Sequence, residues 1–106
     1  MLVNLLLNAV DAMPDGGTLT LRSADLREGG REGLALSVLD TGPGVPPDLR
    51  ERIFEPFYRL PGASEKDGGV GLGLALVKSI AQRHGGSVQC SNRPQGGACF
   101  SLRLPL

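Results

Sequence analysis

The pattern of apolar and polar positions predicts helices that alternate with pairs of strands. The chain from Leu2 to Met13 is rich in leucine, contains neither glycine nor proline, and stops at Pro14, as expected for a helix followed by a turn. Polar and apolar residues alternate over Thr18–Arg22, which predicts a strand with one side in water. The remaining predicted elements are a strand over Leu34–Leu39, a short helix between Pro46 and Pro56, a helix over Leu72–Arg83, and strands over Ser87–Ser91 and Cys99–Leu104.

This order of elements predicts an α+β fold. Strands that follow one another in pairs suit a mixed, mostly antiparallel sheet, and the helices would pack on one face of it as a two-layer sandwich. Glu28–Gly33 is predicted to be an exposed hairpin loop between the first two strands. The residues predicted at helical spacing on the apolar side of the last helix are Leu72, Ala75, Leu76 and Ile80.

Composition and charge exclude several classes of protein. A chain of 106 residues suits one domain, and its 11 Lys+Arg balance its 11 Asp+Glu, so no basic field is available to gather nucleic acid or anionic lipid. Apolar runs are only a few residues long, which predicts no membrane contact by this segment. Alternation puts Cys90 on the core face of its strand and Cys99 on the opposite face, so we expect two reduced thiols, as in a cytosolic protein, and no disulfide.

The first predicted helix carries a polar stripe that is unusual for a side facing water. Its polar side chains are Asn4, Asn8 and Asp11, which lie within about 60° of one another on a helix. A face in water would carry Lys and Glu, whereas two amides and one acid among leucines favour contact with a ligand. Amide oxygens are hard ligands that suit Mg²⁺. The alternative is that these amides satisfy buried backbone groups.

Asp40 is a second candidate, at the end of an apolar strand and just before Gly42 and Gly44. Glycine at those positions would let the backbone approach a flat ligand. An ionised carboxylate only accepts hydrogen bonds, so Asp40 would accept from an amino group such as N6 of adenine, whereas guanine would present its O6 acceptor there. The alternative is an aspartate that only forms the turn, because Asp-x-Gly is common in loops.

Glycines are concentrated just before the last predicted helix. The run GGVGLG at 68–73 leads into that helix, where free backbone N–H groups and the positive end of the helix dipole favour an anion such as phosphate. The run is not a P-loop, because no Gly-Lys-Ser/Thr follows, and no strand precedes it directly as a dinucleotide fingerprint requires. A flexible connector is the alternative interpretation.

The order and spacing of these segments resemble the catalytic and ATP-binding domain of bacterial sensor histidine kinases, which has the Bergerat ATP-binding fold. NLLLNAVDAM is similar to the N box of that family, DTGPGV to its first glycine box, FEPFYR to its F box, and GGVGLGLALVKSIAQRHGGSV to its second glycine box with the helix and strand that follow. The resemblance covers essentially the whole chain. Four motifs in the right order are far more specific than any one of them.

The resemblance implies a site for ATP and Mg²⁺ and assigns roles to residues of this sequence. Asn8 would coordinate Mg²⁺, Asn4 would support the metal and the phosphates, and Asp40 would accept from the adenine amino group. The glycine boxes would contribute backbone to the base pocket and to the phosphates, at Gly42, Gly44, Gly71, Leu72 and Gly73.

The implied chemistry is phosphotransfer and not hydrolysis. Related ATPases of the gyrase and heat-shock chaperone types carry a Glu general base where this chain has Asn4, and an amide cannot take a proton from water. The γ-phosphoryl group would be kept for another acceptor, with Arg59 reaching the terminal phosphate unless it is only a solvated surface side chain. Asn4 and Arg59 are therefore the candidate catalytic residues. The polar segment from Gly62 to Gly71 is predicted to be a lid or an irregular loop, and Phe54 and Phe57 would anchor that lid on the core.

The acceptor implied by the resemblance is a histidine on a separate dimerisation and phosphotransfer domain, normally in the same polypeptide, and a response regulator is an indirect partner. His84, the one histidine here, lies at the end of a predicted helix and is interpreted as a C-terminal capping or packing residue. The family's domain normally begins with a strand that this chain lacks. We therefore expect residues 1–106 to be the catalytic domain without that strand and without the acceptor domain, unable by itself to autophosphorylate.

Such a segment would be cytoplasmic, either free or as the cytoplasmic part of a membrane-bound sensor. The alternative function is a degenerate module that binds ATP, or docks onto another kinase, without catalysis. A serine kinase of the anti-sigma-factor type would share the fold, but FEPFYR argues against it.

Overall fold

Two helices and a four-stranded sheet form the regular structure of residues 2–58 and 73–106, the part of the chain that the computed structural model describes. Helix α1 spans Leu2–Asp11 and helix α2 spans Gly73–Arg83. The strands are β1 (Thr20–Glu28), β2 (Arg31–Leu39), β3 (Ser87–Asn92) and β4 (Ala98–Pro105). Two short 3₁₀ helices, Pro47–Leu49 and Arg52–Phe54, follow β2.

The four described strands pair antiparallel in the order β1-β2-β4-β3. The pairing of β1 with β2 runs from Thr20 opposite Leu39 to Glu28 opposite Arg31, and β4 pairs with β2 on one side and with β3 on the other. Each hairpin therefore joins strands that follow one another in sequence, while β4 inserts beside β2. The predicted α+β class and the antiparallel majority are confirmed.

Both helices pack on the same face of the sheet. Fully buried side chains come from alternate positions of β2 and β4 and from one side of each helix; they are Leu5, Ala9, Val38, Val77, Ala81, Phe100 and Leu102. The alternation predicted for the last strand is confirmed, because Phe100 and Leu102 are buried while Arg103 is exposed. Each such Leu or Phe stabilises the fold by roughly 1.5–3 kcal/mol, so this shared layer fixes how the helices lie on the sheet.

The first hairpin is tighter than the sequence predicted. The hairpin predicted at Glu28–Gly33 is confirmed, but its loop is shorter than predicted, because β1 continues to Glu28 and β2 begins at Arg31. The turn consists of Gly29 and Gly30, with φ angles of 59° and 78°. A two-residue turn of type I′ needs positive φ at both positions, which glycine adopts without strain. Nine cross-strand pairs extend β1 through a stretch that lacks clear alternation.

Helix α2 buries a different side from the predicted one. Val77 and Ala81 are fully buried, whereas Leu76 is 50% exposed. Ala75 and Ile80 are half-buried, and Leu72 lies outside the described residues. Apolar residues occupy two adjacent sides of this helix, and the side that contacts α1 and the sheet is the one with Val77 and Ala81, with Leu74 packed beside them.

The end of helix α2 agrees with the sequence. Gly85 has a φ of 77°, and the Gly86 N–H donates to the Ala81 carbonyl at 2.8 Å, as in a glycine-capped C-terminus. His84 is exposed, and its backbone N–H donates to the Ile80 carbonyl at 3.2 Å. His84 therefore lies at the C-terminal cap of α2, directly after its last residue Arg83, in agreement with the capping interpretation.

The expectation for the two phenylalanines near the second 3₁₀ helix is half correct. Phe54 is buried and meets Phe100 edge-on, with ring centroids 6.1 Å apart. Phe57 is 69% exposed, so its predicted role as an anchor on the core is wrong. Its φ of 66° is a left-handed conformation, and the chain turns there so that Tyr58 packs against the core instead.

The two cysteines lie on opposite faces of the sheet, as predicted, and both are free thiols. Cys90 packs against the core, while Cys99 lies 3.6 Å from the Ser101 hydroxyl. Burial raises the pKa of the Cys90 thiol to about 11, and the negative charge of Asp40 adds to this shift. The Arg50 guanidinium opposes it.

Candidate functional site

Helix α1, the loop after β2 and the start of helix α2 adjoin one another. A Cβ atom at Gly42, in the loop after β2, would lie 2.6 Å from the carbonyl oxygen of Ala12, just beyond α1. A Cβ atom at Gly73, the first residue of α2, would lie 3.9 Å from the Asn4 side chain. The three segments that the sequence singled out therefore share one region of the molecule.

Asp40 is the buried charged residue of this region, with 1% of its surface exposed. Its Oδ1 accepts hydrogen bonds from the backbone N–H groups of Gly42, at 2.9 Å, and Ala98, at 3.1 Å. Its Oδ2 is buried and has no hydrogen-bond partner among the described residues. Leaving a buried acceptor unpaired costs roughly 1–3 kcal/mol, so Oδ2 is suited to accept a hydrogen bond from a bound ligand.

The sequence left open whether Asp40 forms the turn or accepts a hydrogen bond from a ligand, and each of its two carboxylate oxygens is suited to one of these roles. Oδ1 forms the turn, since it bonds the N–H two residues further on. Oδ2 is the free acceptor. The Asp40 carboxylate forms no salt bridge with another described residue.

The loop after Asp40 is fastened to the β3–β4 hairpin. The Asn92 side chain accepts from the Val45 N–H at 2.9 Å and donates to the Val45 carbonyl at 2.8 Å. The Arg93 guanidinium donates to the Asp40 carbonyl at 2.9 Å. A Cβ atom at Gly97 would overlap the same carbonyl, so the hairpin needs glycine there to approach so closely.

Asn4 and Asn8 lie one helical turn apart on a half-buried side of α1, while Asp11 is exposed. Neither carboxamide makes a hydrogen bond to another described residue, so within that part of the chain the amides do not satisfy buried backbone. Over residues 2–58 and 73–106 no cluster of His, Cys, Asp or Glu could hold a metal. A divalent cation at this side of α1 would therefore depend on amide oxygens and on oxygens of its own ligand.

Several predicted site residues cannot be placed. Arg59, Gly71 and Leu72 lie outside the described residues, and their roles stay predictions. Gly73 opens α2, where backbone N–H groups have no partner within the helix. Gly73, the described residue of the GGVGLG run, therefore begins a helix end that offers donors beside Asn4.

Sequence reasoning missed the residues of the β3–β4 hairpin. In the sequence, Asn92 and Arg93 look like ordinary polar residues of a turn. Their hydrogen-bond partners, Val45 and Asp40, are 47 and 53 residues away. The closely spaced Gly96 and Gly97 were a signal for a close approach of backbone, but glycine pairs also occur in simple turns.

A separate surface cavity of about 480 Å³ lies at the opposite end of the sheet, beside the last turn of α2. Arg31 and Arg103 contribute to its walls, and the Glu32 carboxylate in it already pairs with Arg27. None of the predicted site residues lines this cavity. Neither of the two buried, unpartnered polar atoms in the described part of the chain lies there, so Asp40 marks the better site.

The sequence matches known proteins along its whole length. The profile of the family described as "Histidine kinase-, DNA gyrase B-, and HSP90-like ATPase" matches residues 1–106. The hybrid signal transduction histidine kinase D of Dictyostelium discoideum is 45% identical over 109 residues, covering 100% of this chain and 7% of that protein. In eight curated relatives the chain spans between 7% and 28% of the relative's length.

Solved structures share the fold at substantial sequence identity. The mycobacterial sensor histidine kinase MprB superposes with a TM-score of 0.78 at 33% identity, over 97% of this chain and 66% of that one. Full-length ShkA in complex with AMPPNP gives a TM-score of 0.73 at 38% identity, over 96% of this chain and 20% of that one. In the described part of this chain, no helix has the length and apolar character needed to cross a membrane.

Proposed function

Because this chain belongs to the family of histidine kinase-, DNA gyrase B- and HSP90-like ATPases, as a catalytic ATP-binding domain of a histidine kinase, we propose that it binds ATP with Mg²⁺ and transfers the γ-phosphoryl group to a histidine on another domain. The observation that carries this proposal is the unpartnered, buried Oδ2 of Asp40. It is an acceptor without a donor, in the loop where the resemblance expects the adenine amino group.

Adenine recognition would rest on Asp40. The N6 amino group of adenine is a donor that would pair with Oδ2, while Oδ1 keeps its two bonds to backbone N–H groups. A 6-oxo purine would present an acceptor to the same oxygen, and two facing acceptors cost energy of kcal/mol order. Gly42 and Gly44 would let the loop backbone lie against the base.

The phosphates and the metal would be held between the two helices. Asn8 would offer an amide oxygen to Mg²⁺, and Asn4 would support the metal and the phosphates beside Gly73. The N–H groups of Gly71, Leu72 and Gly73 would face the phosphate oxygens. When bound, Mg²⁺ would neutralise charge on those oxygens.

Transfer to an imidazole fits this residue set better than hydrolysis. Asn4 carries no carboxylate and cannot activate water as a general base. In the transfer, the bond from the γ-phosphorus to the bridging oxygen breaks, ADP keeps its electron pair, and the histidine nitrogen forms the new bond to phosphorus. Arg59 would stabilise charge on the phosphoryl oxygens during this step.

The histidine that accepts the phosphoryl group would lie in another part of a longer kinase. The relatives are multidomain kinases of which this chain spans less than a third. We propose that a dimerisation and phosphotransfer domain supplies the acceptor histidine, normally from the same polypeptide, and that a response regulator then receives the phosphoryl group. The domain would work in the cytoplasm.

The test is a titration of the protein with ATP, with and without Mg²⁺, in the parent and in Asp40→Asn. Asparagine can keep the bonds from Gly42 and Ala98, but its NH₂ group replaces the free acceptor with a donor. We expect ATP affinity to fall at least about tenfold, which corresponds to roughly 1.4 kcal/mol. Isothermal titration calorimetry measures it.

The matched control is Asp48→Asn, which makes the same change of charge at an exposed position in a 3₁₀ helix. It should bind ATP as the parent does. Equal affinity of Asp40→Asn and the parent would contradict the adenine contact, and absence of ATP binding by the parent would contradict the proposed function as a whole.

A further inference from the structure

The Asn92 carboxamide bonds both polar backbone groups of Val45. Its Oδ1 accepts from the Val45 N–H at 2.9 Å, and its Nδ2 donates to the Val45 carbonyl at 2.8 Å. This is the bonding that a neighbouring strand would provide to one residue of a ladder. A side chain at the end of β3 therefore replaces backbone pairing for a loop 47 residues earlier in the chain.

The loop is pressed closely against this side chain. Gly44 has a φ of 79°, and a Cβ atom there would lie 2.8 Å from the Asn92 Oδ1. Val45 is 6% exposed and belongs to the core. Both ends of the contact are thus fixed, one by the strand and one by the core, so a rotation of the Asn92 amide would break both hydrogen bonds.

The same hairpin also holds Asp40. The Ala98 N–H donates to the carboxylate, and Arg93 donates to the Asp40 carbonyl. The carboxylate and the loop that follows it are therefore positioned by one hairpin, at Asp40 by the Ala98 backbone and the Arg93 side chain, and at Val45 by the Asn92 side chain. No hydrogen bond in the described part of the chain joins Asn92 to α1 or α2.

We propose that Asn92 is a positioning residue for base recognition, which rests on the proposed binding of ATP. It holds the backbone from Gly42 to Val45 in a fixed position relative to Asp40, so that Oδ2 can accept a hydrogen bond from the group at the 6-position of the purine. Loss of Asn92 frees the loop and weakens the preference for a 6-amino over a 6-oxo purine. The grip on the phosphates, which are held by α1 and α2, stays unchanged.

The first experiment needs no nucleotide. Amide hydrogen exchange of Val45 is compared in the parent, in Asn92→Ala and in Gln95→Ala, an exposed neighbour in the same turn that serves as the control. We expect exchange to accelerate about tenfold or more in Asn92→Ala, because the Val45 N–H loses its acceptor, and to stay unchanged in Gln95→Ala. Unchanged exchange in Asn92→Ala overturns the proposal.

The second experiment compares dissociation constants for ATP, ITP and inorganic triphosphate in the same proteins. In Asn92→Ala the ratio of the ITP constant to the ATP constant should fall at least about fivefold, while the constant for triphosphate changes less than about twofold. An equal weakening of all three ligands would indicate a merely structural role and would overturn the proposal.

Asn92→Asp supplies a readout that depends on pH and covers the case in which Asn92→Ala fails to fold. Its carboxylate still accepts from the Val45 N–H but repels the Val45 carbonyl, and protonation restores a donor. Discrimination, normalised to the parent at each pH, should therefore recover as the pH falls through the range in which this carboxylate takes up its proton. If the discrimination of Asn92→Asp, normalised to the parent, does not change with pH, the proposed role of Asn92 is contradicted.

Failure of this proposal is distinct from failure of the proposed function. A parent that binds no ATP overturns the proposed function, and the role in base recognition falls with it. A parent that prefers ATP to ITP, together with an Asn92→Ala variant that keeps the same preference, overturns the role of Asn92 alone.

Discussion

At the residue scale, the most informative groups are buried polar atoms with incomplete bonding. Asp40 has one satisfied and one unsatisfied oxygen, and the unsatisfied one is what a ligand can use. A stabilising role alone would favour pairing both oxygens, since a buried, unpaired acceptor costs free energy. The unpaired oxygen therefore lowers the free energy of unfolding, and a ligand donor that pairs with it would remove this penalty.

Cys90 provides a prediction that concerns stability and not binding. Its pKa is raised from 9.0 to about 11 in the folded chain, mainly by burial. Between those values the unfolded thiol loses its proton while the folded one keeps it. The free energy of unfolding should therefore be unaffected by this thiol below about pH 9 and fall as the pH rises towards 11.

Urea unfolding at a series of pH values, in the parent and in Cys90→Ala, isolates this contribution from other groups that titrate in the same range. The parent should lose more stability than the variant between about pH 9 and 11. Cys99→Ala is the control, because Cys99 lies on the other face of the sheet. If the free energy of unfolding depends on pH in the same way in the parent and in Cys90→Ala, the thiol is not held protonated by the fold.

The sequence could predict Asp40 but not Asn92, and the reason is physical. Asp40 stands at a boundary that local pattern defines, where an apolar strand gives way to glycines. Asn92 acts through bonds to Val45, and which loop faces the end of β3 depends on the strand order β1-β2-β4-β3. That order is a property of the packed sheet and cannot be read from a local window.

At the element scale, helix α2 shows the limit of periodicity when two sides of a helix are apolar. The sequence favoured the side with Leu76, but the interface with α1 and the sheet uses Val77 and Ala81. Leu74 packs on the same buried side, so both sides offer apolar residues and periodicity alone does not decide which one is buried. The extent of the helix, by contrast, was predicted to within a residue because its cap is local.

Two truncations in neighbouring positions test which side of α2 is buried. Val77→Ala removes fully buried methyl groups and should lower the free energy of unfolding by about 1–3 kcal/mol, whereas Leu76→Ala, half exposed, should cost less than about 1 kcal/mol. Denaturant unfolding measures both. A larger loss for Leu76→Ala would mean that the side predicted from the sequence is the buried one.

At the scale of the whole molecule, the residues of the candidate site lie at one end of the sheet. The end with Asp40, the start of α2 and the β3–β4 hairpin gathers the candidate site, while the end with the turn at Gly29 and Gly30 carries none of the predicted site residues. Asn8 and Asp40 lie 32 residues apart in sequence and Asp40 and Gly73 lie 33 apart, yet the antiparallel order brings β2 and β4 side by side. One hairpin can therefore support a site assembled from both halves of the chain.

The whole-molecule prediction is transfer to a histidine that this chain does not provide. Mixed with labelled ATP, Mg²⁺ and a separately produced dimerisation domain bearing the acceptor histidine, the protein should place acid-labile, base-stable label on that domain. Its one histidine, His84, is exposed and directly follows α2, at the end of that helix remote from Gly73 and Asn4, so the chain alone should stay unlabelled. The acceptor domain with its histidine replaced by alanine is the control, and Asp40→Asn should lose label in proportion to ATP affinity. A protein that binds ATP tightly and never labels the acceptor would be a nucleotide-sensing module, because binding without transfer separates the pocket from the chemistry assigned to Asn4 and Arg59.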